Sequence, residues 1–227
     1  IAALALGTLS ANAQTLSIST YQGTDMAQYD GQVRKVSMYR QIFNGWNTIA
    51  LPFALSAEQV DELFGADCRL ETLAGVESEG GQITLNFVDS KAEGIRANVP
   101  YILHYTGETT LKRIAQDGAM LKNEPAAVTF TDVNGVRVTF AGAQKQREAV
   151  GLYGILARDN GEAAFVNVDN LSTNFYATRC FVELSNGNTT MLKTRHVAAG
   201  EATSINTVLR AGETADVYSL SGTRVAT

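Results

Sequence analysis

Val36-Ser-Met-Tyr-Arg-Gln-Ile-Phe-Asn-Gly-Trp-Asn-Thr-Ile-Ala-Leu-Pro-Phe-Ala-Leu55 decides how the rest of this chain is read. It opens with a β-rich run, reverses at Asn44-Gly45, and continues into a second apolar run that carries the only tryptophan. Ser56 follows as a helix N-cap, with Gln59 three residues on as its capping-box partner. Leu55 and Val60 stand at staple spacing, and Gly65 supplies the stop. The spacing predicts one short helix over 57–64, held by packing of Val60, Leu63 and Phe64 because two turns are marginal alone.

The pattern elsewhere has period two. Ile83, Leu85 and Phe87 alternate with Thr84 and Asn86 after Gly80-Gly81, and Pro100-Tyr-Ile-Leu-His-Tyr105 is a further β run. Around Asn134-Gly135 a two-residue loop would split the apolar residues between faces. A three-residue loop, Val133-Asn134-Gly135, pairs Asp132 with Val136, Phe130 with Val138 and Val128 with Phe140, leaving the apolar set on one face. Asn160-Gly161 and Asn186-Gly187 read as two more hairpin turns, which predicts an antiparallel meander from about 126 to 194. Thr110–Gln116 is a weaker candidate for a second helical piece. Many turn-bounded strands with one helix predict an all-β fold, an antiparallel β-sandwich or barrel-like domain.

The ends differ in character. Ile1–Leu9 is apolar and leads into Ser10-Ala-Asn-Ala13, the form of a signal-peptide tail with an A-x-A cleavage site. The expected mature chain starts at Gln14 and is exported, with a main β domain over 14–196. No later apolar stretch approaches the ~18 residues of a membrane helix. Residues 197–215 read as a linker, and 216–227 as the start of a small C-terminal β unit. The formal net charge is −5, and no Lys/Arg cluster interleaves with aromatics in the sequence, which argues against nucleic acid or an anionic membrane as partner.

Four short segments resemble those of secreted and cell-surface β-rich proteins of Bacteroidota: Trp46–Phe53, Ala97–Leu103, Phe140–Gly142 and Phe175–Phe181. In the last, Thr178 and Cys180 depart from the commoner A-x-R-A-Y-F form. Asp216-Val-Tyr-Ser-Leu-Ser-Gly-Thr-Arg-Val225 is similar to a C-terminal V-Y-x-L-x-G-x-R-V segment of the same proteins, where it begins a sorting or anchoring unit. The resemblance implies a secreted or surface module and brings no activity or functional residues with it.

Chemistry-bearing residues are sparse. The two histidines, His104 and His196, read as a half-buried strand residue and a solvated residue at the linker. No nucleophile elbow, zinc helix, Walker loop or dinucleotide turn occurs. Asp61-Glu62 point about 100° apart on a helix, so they read as a solvated face rather than a glycosidase acid pair. Asn167-Val-Asp169-Asn170 offers loop oxygens for a structural cation and nothing more. Cys68 and Cys180 can either form a bridge, as export allows, or stand as two separate buried thiols. Tyr21, Tyr29, Tyr39 and Trp46 are the aromatics available for stacking on sugars, although Trp46 begins an apolar run and reads more readily as core.

No cofactor or metal is expected. The leading expectation is a non-enzymatic secreted or surface β domain with a structural or adhesion-type role, whose partner is a protein or glycan. A carbohydrate-binding module is the alternative, and a secreted hydrolase the remote one.

Overall fold

The computed structural model describes residues 14–157, 161–169 and 174–197, together with the backbone of two short strands at 217–218 and 224–225. The signal-peptide reading of 1–13, most of the linker, and Asn160 and Asn170 lie outside the described residues. In chain order the elements are β1 (Leu16–Ser17), β2 (Val33–Ile42), β3 (Gly45–Ile49), α1 (Ala57–Phe64), β4 (Arg69–Glu79) and β5 (Gln82–Asp89). Then come β6 (Tyr101–Tyr105), β7 (Thr110–Met120), β8 (Val128–Thr131), β9 (Arg137–Gly142) and β10 (Arg147–Glu148). The remainder are β11 (Leu152–Ala157), β12 (Ala163–Asn167), β13 (Asn174–Phe175), β14 (Cys180–Ser185), β15 (Met191–Val197), β16 (Val217–Tyr218) and β17 (Arg224–Val225). The fold is all-β with a single α-helix among the described residues. None of its helices is long and apolar enough to cross a membrane.

Ten strands form one sheet in the order β3-β6-β4-β5-β15-β12-β11-β14-β9-β8. The sheet curls until β3 comes against β11 and β14, and β8 against β4, which gives the barrel-like form. Neighbouring strands are antiparallel except at β15–β5, where Lys193–Val197 run parallel to Thr84–Val88. A three-stranded sheet, β1-β2-β7, packs separately, with β1 parallel to β2.

Two cores follow from this arrangement. Inside the curl lie Phe87, Phe140 and Phe165, all at 0% exposure, with Trp46, Leu85, Ile102 and Val182. Between the small sheet and the outer face of β3, β4 and β6 lie Met38, Ile42, Leu51, Phe53, Leu70 and Leu103. Helix α1 adds Val60 and Phe64 to that second core. Strand β6 is therefore buried on both faces: Tyr101, Leu103 and Tyr105 serve one core and Ile102 the other. An unbroken apolar run is what such a position requires.

Several local expectations are met. Ser56 accepts from the Gln59 N–H and the Gln59 side chain accepts from the Ser56 N–H, completing the capping box. Gly65 ends α1 at φ +94°. The loop at 133–135 has the three-residue form, with Phe130 opposite Val138, Val128 opposite Phe140, and Gly135 at φ +80°. Gly80 and Gly81 both have positive φ between paired Glu79 and Gln82, as a type I′ hairpin demands. The pairs Val217–Val225 and Tyr218–Arg224 match the strand–turn–strand reading of the C-terminal segment.

Two expectations fail. The meander breaks twice: β14 inserts between β9 and β11, and the third turn fails as well. Asn186-Gly187 does not close a hairpin, because β14 and β15 are separated in the sheet by β11 and β12. Asn186 supplies the left-handed residue, at φ +58°, but the chain then crosses to β12 and β5. Thr110–Gln116 is not helical either. Its helix formers lie in β7, where nine register pairs with β2 override local propensity.

Candidate binding surface

Strand β2 has two faces. Val36, Met38, Arg40 and Ile42 point into the protein, while Tyr39 is exposed on the other side. Phe43 follows at the strand end and is also exposed. The N-terminal segment runs beside β2, and the Thr20 hydroxyl donates to the Tyr39 carbonyl at 2.7 Å. That placement brings Tyr21 next to β2, where its ring stacks on Tyr176 with centroids 4.6 Å apart and planes 27° apart. Tyr21 and Tyr39 are each 55% exposed, Phe43 45% and Tyr176 37%. On the far side of β2, Arg113 of β7 stands opposite Tyr39, and exposed Leu111 opposite Gln41. The Arg179 guanidinium lies 5.8 Å from the Phe43 ring centre. Strand β2 and the segments beside it thus present four exposed aromatic rings in local groups: Tyr21 on Tyr176, Phe43 beside Arg179, and Tyr39 across the ladder from Arg113.

The turn that presents Tyr176 and Arg179 is tightly held. Thr178 sits at φ +68°, a strained position for a β-branched residue. Its N–H donates to Ala143 at 2.7 Å, and its carbonyl accepts from Ala50 at 3.0 Å. From behind, Arg40 donates to the Thr178 carbonyl at 2.7 Å, to the Thr178 hydroxyl at 2.5 Å and to the Thr48 carbonyl. Arg40 is 2% exposed, and no carboxylate lies within 4.0 Å of it among the described residues. Burial, reinforced by the charge of Arg179, pulls its pKa down to about 9. A narrow cleft of about 20 Å³, open in part to solvent, runs alongside, lined by Ile18, Met26, Ala50, Asn98, Ala177 and Thr178 among others.

Of the four aromatics singled out in the sequence, the fold carries Tyr21 and Tyr39 on adjacent segments, linked through the Thr20 hydroxyl on the Tyr39 carbonyl. Tyr29 stands apart, half-buried against the second core with Arg34 5.8 Å over its ring. Trp46 is 6% exposed and belongs to the interior of the curl, so it is no sugar platform. Its indole N–H donates to the Gly161 carbonyl at 3.2 Å, which satisfies the one polar atom of an otherwise buried ring.

Around that indole the fold gathers polar groups scattered in the sequence. His196 stacks on Trp46 at 4.5 Å and 10°, and His104 meets it edge-on at 4.9 Å. Arg69 lies 5.2 Å over the ring. Glu71, 2% exposed, bridges Arg69 at 2.5 Å and His196 Nδ1 at 2.6 Å. His196 is therefore not a solvated linker residue. It is locked in β15, whose parallel pairing with β5 carries it onto the Trp46 face. Burial, with a smaller contribution from Arg69, lowers the His104 pKa below its ordinary 6.5. A depressed imidazole pKa means that the unfolded chain binds more protons in the window just below 6.5. Stability should then fall as pH drops through 6.5 toward the folded-state value. Thermal melts of wild type and His104→Gln across that window check this, since the variant should lose that component of the acid sensitivity.

The remaining candidates stay separate. Cys68 and Cys180 are free, buried thiols in different cores, so the alternative of a bridge is not realised. Burial raises both thiol pKa values, Cys180 to about 12, which makes these thiols inert packing groups. Asp61 pairs with Lys91 at 2.7 Å rather than with Glu62. Asp169 accepts from the Gly151 N–H at 2.6 Å, and the described residues hold no cluster of three or more metal-ligating side chains.

Tyr176, Phe43, Arg113 and Arg179 were not singled out in the sequence. Only the exposed parity of Tyr39 and Phe43 along one strand could have hinted at the face. No protein-family model, curated protein or solved structure matches the chain.

Proposed function

We propose that this chain is a non-enzymatic, exported or surface-attached β domain with an interaction role, and that its binding face is the one carrying Tyr21, Tyr176, Tyr39 and Phe43. The apolar run ending at Ala11-x-Ala13 supports export, as does the resemblance to Bacteroidota surface proteins. A single observation carries the binding reading. Two tyrosines from distant parts of the chain stack on each other at the surface instead of in a core. Large aromatic surface left in water on a strained, over-determined turn is costly unless it meets a ligand.

The ligand class that fits is a glycan. Flat rings accept the C–H faces of pyranoses, and the phenol and Gln41 groups around them can bond hydroxyls. A glycan-array screen of residues 14–227 should give specific hits that weaken about tenfold in Tyr21→Ala and again in Tyr176→Ala, the loss of about 1.4 kcal/mol. An array without hits, or hits indifferent to both changes, would overturn the glycan reading and leave a structural role.

A further inference from the structure

We infer that the sugar this face takes is anionic, a carboxylate-bearing glycan of the uronic-acid type. The inference rests on the glycan reading of the face and adds the charge of its ligand. Arg113 and Arg179 flank the rings, and among the described residues neither has a carboxylate within 4.0 Å. Arg113 makes one side-chain bond, Nε to the Ser37 hydroxyl at 3.2 Å, which leaves its terminal nitrogens for another partner. Arg179 is half-buried beside Phe43, and burial lowers its pKa from the ordinary value.

Behind it, Arg40 adds a third guanidinium that is buried with no acid. Arg69, Arg147 and Arg195 are paired with glutamates, whereas Arg34, Arg96 and Arg137, like the two on this face, have no carboxylate within 4.0 Å among the described residues. The acid closest along the small sheet, Asp117, is already paired with Lys35 at 3.1 Å. Two of the unpaired guanidiniums stand beside exposed rings, Arg113 across the ladder from Tyr39 and Arg179 next to Phe43.

That combination complements a carboxylated sugar. The guanidinium fork binds a carboxylate through two parallel N–H bonds, while the rings take the pyranose body. A neutral sugar would use the rings and leave both forks unused. Nucleic acid offers anions and stacking bases too, and a single-stranded oligonucleotide is therefore the polyanion control of the test.

Isothermal titration of residues 14–227 with tetragalacturonate and with cellotetraose tests the inference, run at low and physiological salt. Tetragalacturonate should bind at least about tenfold tighter than cellotetraose, the difference narrowing with salt. Arg113→Gln and Arg179→Gln should each remove about tenfold of the tetragalacturonate affinity. Arg179→Lys should restore only part, since an ammonium keeps the charge without the fork. Thermal melts matching wild type show that each variant folds. Should cellotetraose bind as tightly, or the arginine variants bind tetragalacturonate unchanged, the charge inference fails while the glycan-binding face stands. If neither sugar binds and the array is empty as well, the glycan reading fails with it. Equal affinity for a single-stranded oligonucleotide would also overturn the inference, by showing a general polyanion site.

Discussion

Phe140→Ala should destabilise the protein by about 3–5 kcal/mol, the range for emptying a buried aromatic site. Phe140 is fully buried and meets Phe87 edge-on at 5.6 Å and Phe165 at 5.7 Å and 81°. Phe87 and Phe165 lie nearly parallel at 6.0 Å, so the three rings form one contact set drawn from β5, β9 and β12. In the sheet β5 and β12 flank β15, while β9 lies beyond β11 and β14. Removing the Phe140 ring therefore loses transfer energy, two aromatic contacts worth about 0.5–1.5 kcal/mol each, and the filling between these strands. Phe140→Leu retains most of the volume and should cost clearly less. Urea unfolding with an unchanged m-value measures both. A loss below about 1 kcal/mol for the alanine variant would mean that the interior of the curl is not the packed core described.

The second large effect is at Arg40. Arg40→Ala removes donors to Thr178 and Thr48 and leaves a cavity at a buried site, a cost of about 2–4 kcal/mol. Arg40→Met is the instructive comparison. It keeps much of the volume and discards the charge, whose desolvation already drags the pKa down to about 9. Removing a charge buried without a counter-ion relieves its desolvation cost, which offsets part of the lost hydrogen bonds to Thr178 and Thr48. The methionine variant should thus be less harmful than the alanine variant. It should still loosen the turn that presents Tyr176 and Arg179, because nothing then holds the strained Thr178 from behind. Denaturant unfolding of both variants decides: methionine as harmful as alanine would show that the guanidinium contributes more than its burial costs.

How much of this was legible in the sequence depended on range. The capping box at Ser56–Gln59 and the loop at Val133–Gly135 are set by residues a few positions apart, and both form as the sequence predicts. The type of fold followed from alternation, which survives in β5 and β9 because one face of each is buried. Asn186-Gly187 shows where local reading stops. Its left-handed residue reverses the chain, yet a turn does not say which strand is the neighbour, and β15 finds β12 and β5. Thr110–Gln116 carries helix formers whose preference is outweighed by the ladder to β2. The face itself was invisible for the same reason. Tyr39 meets Arg113, Phe43 meets Arg179 and Tyr21 meets Tyr176 only through sheet pairing and the 176–179 turn. A scan for basic residues interleaved with aromatics along the chain finds none of these pairs. His196 reads as solvated in the sequence because the chain beside it is small and polar, whereas its partners Glu71 and Trp46 come from β4 and β3.

The central claim is that ligand meets the protein on the Tyr21–Tyr176–Tyr39–Phe43 face. Amide chemical-shift mapping during titration with the oligosaccharide found by the array tests it most directly. The account predicts shifts concentrated at 20–22, 37–43, 111–115 and 176–179, with the Trp46, His104 and His196 region unmoved. Shifts centred on the Trp46 cluster, or on the open depression beside Tyr29 and Arg34, would contradict it.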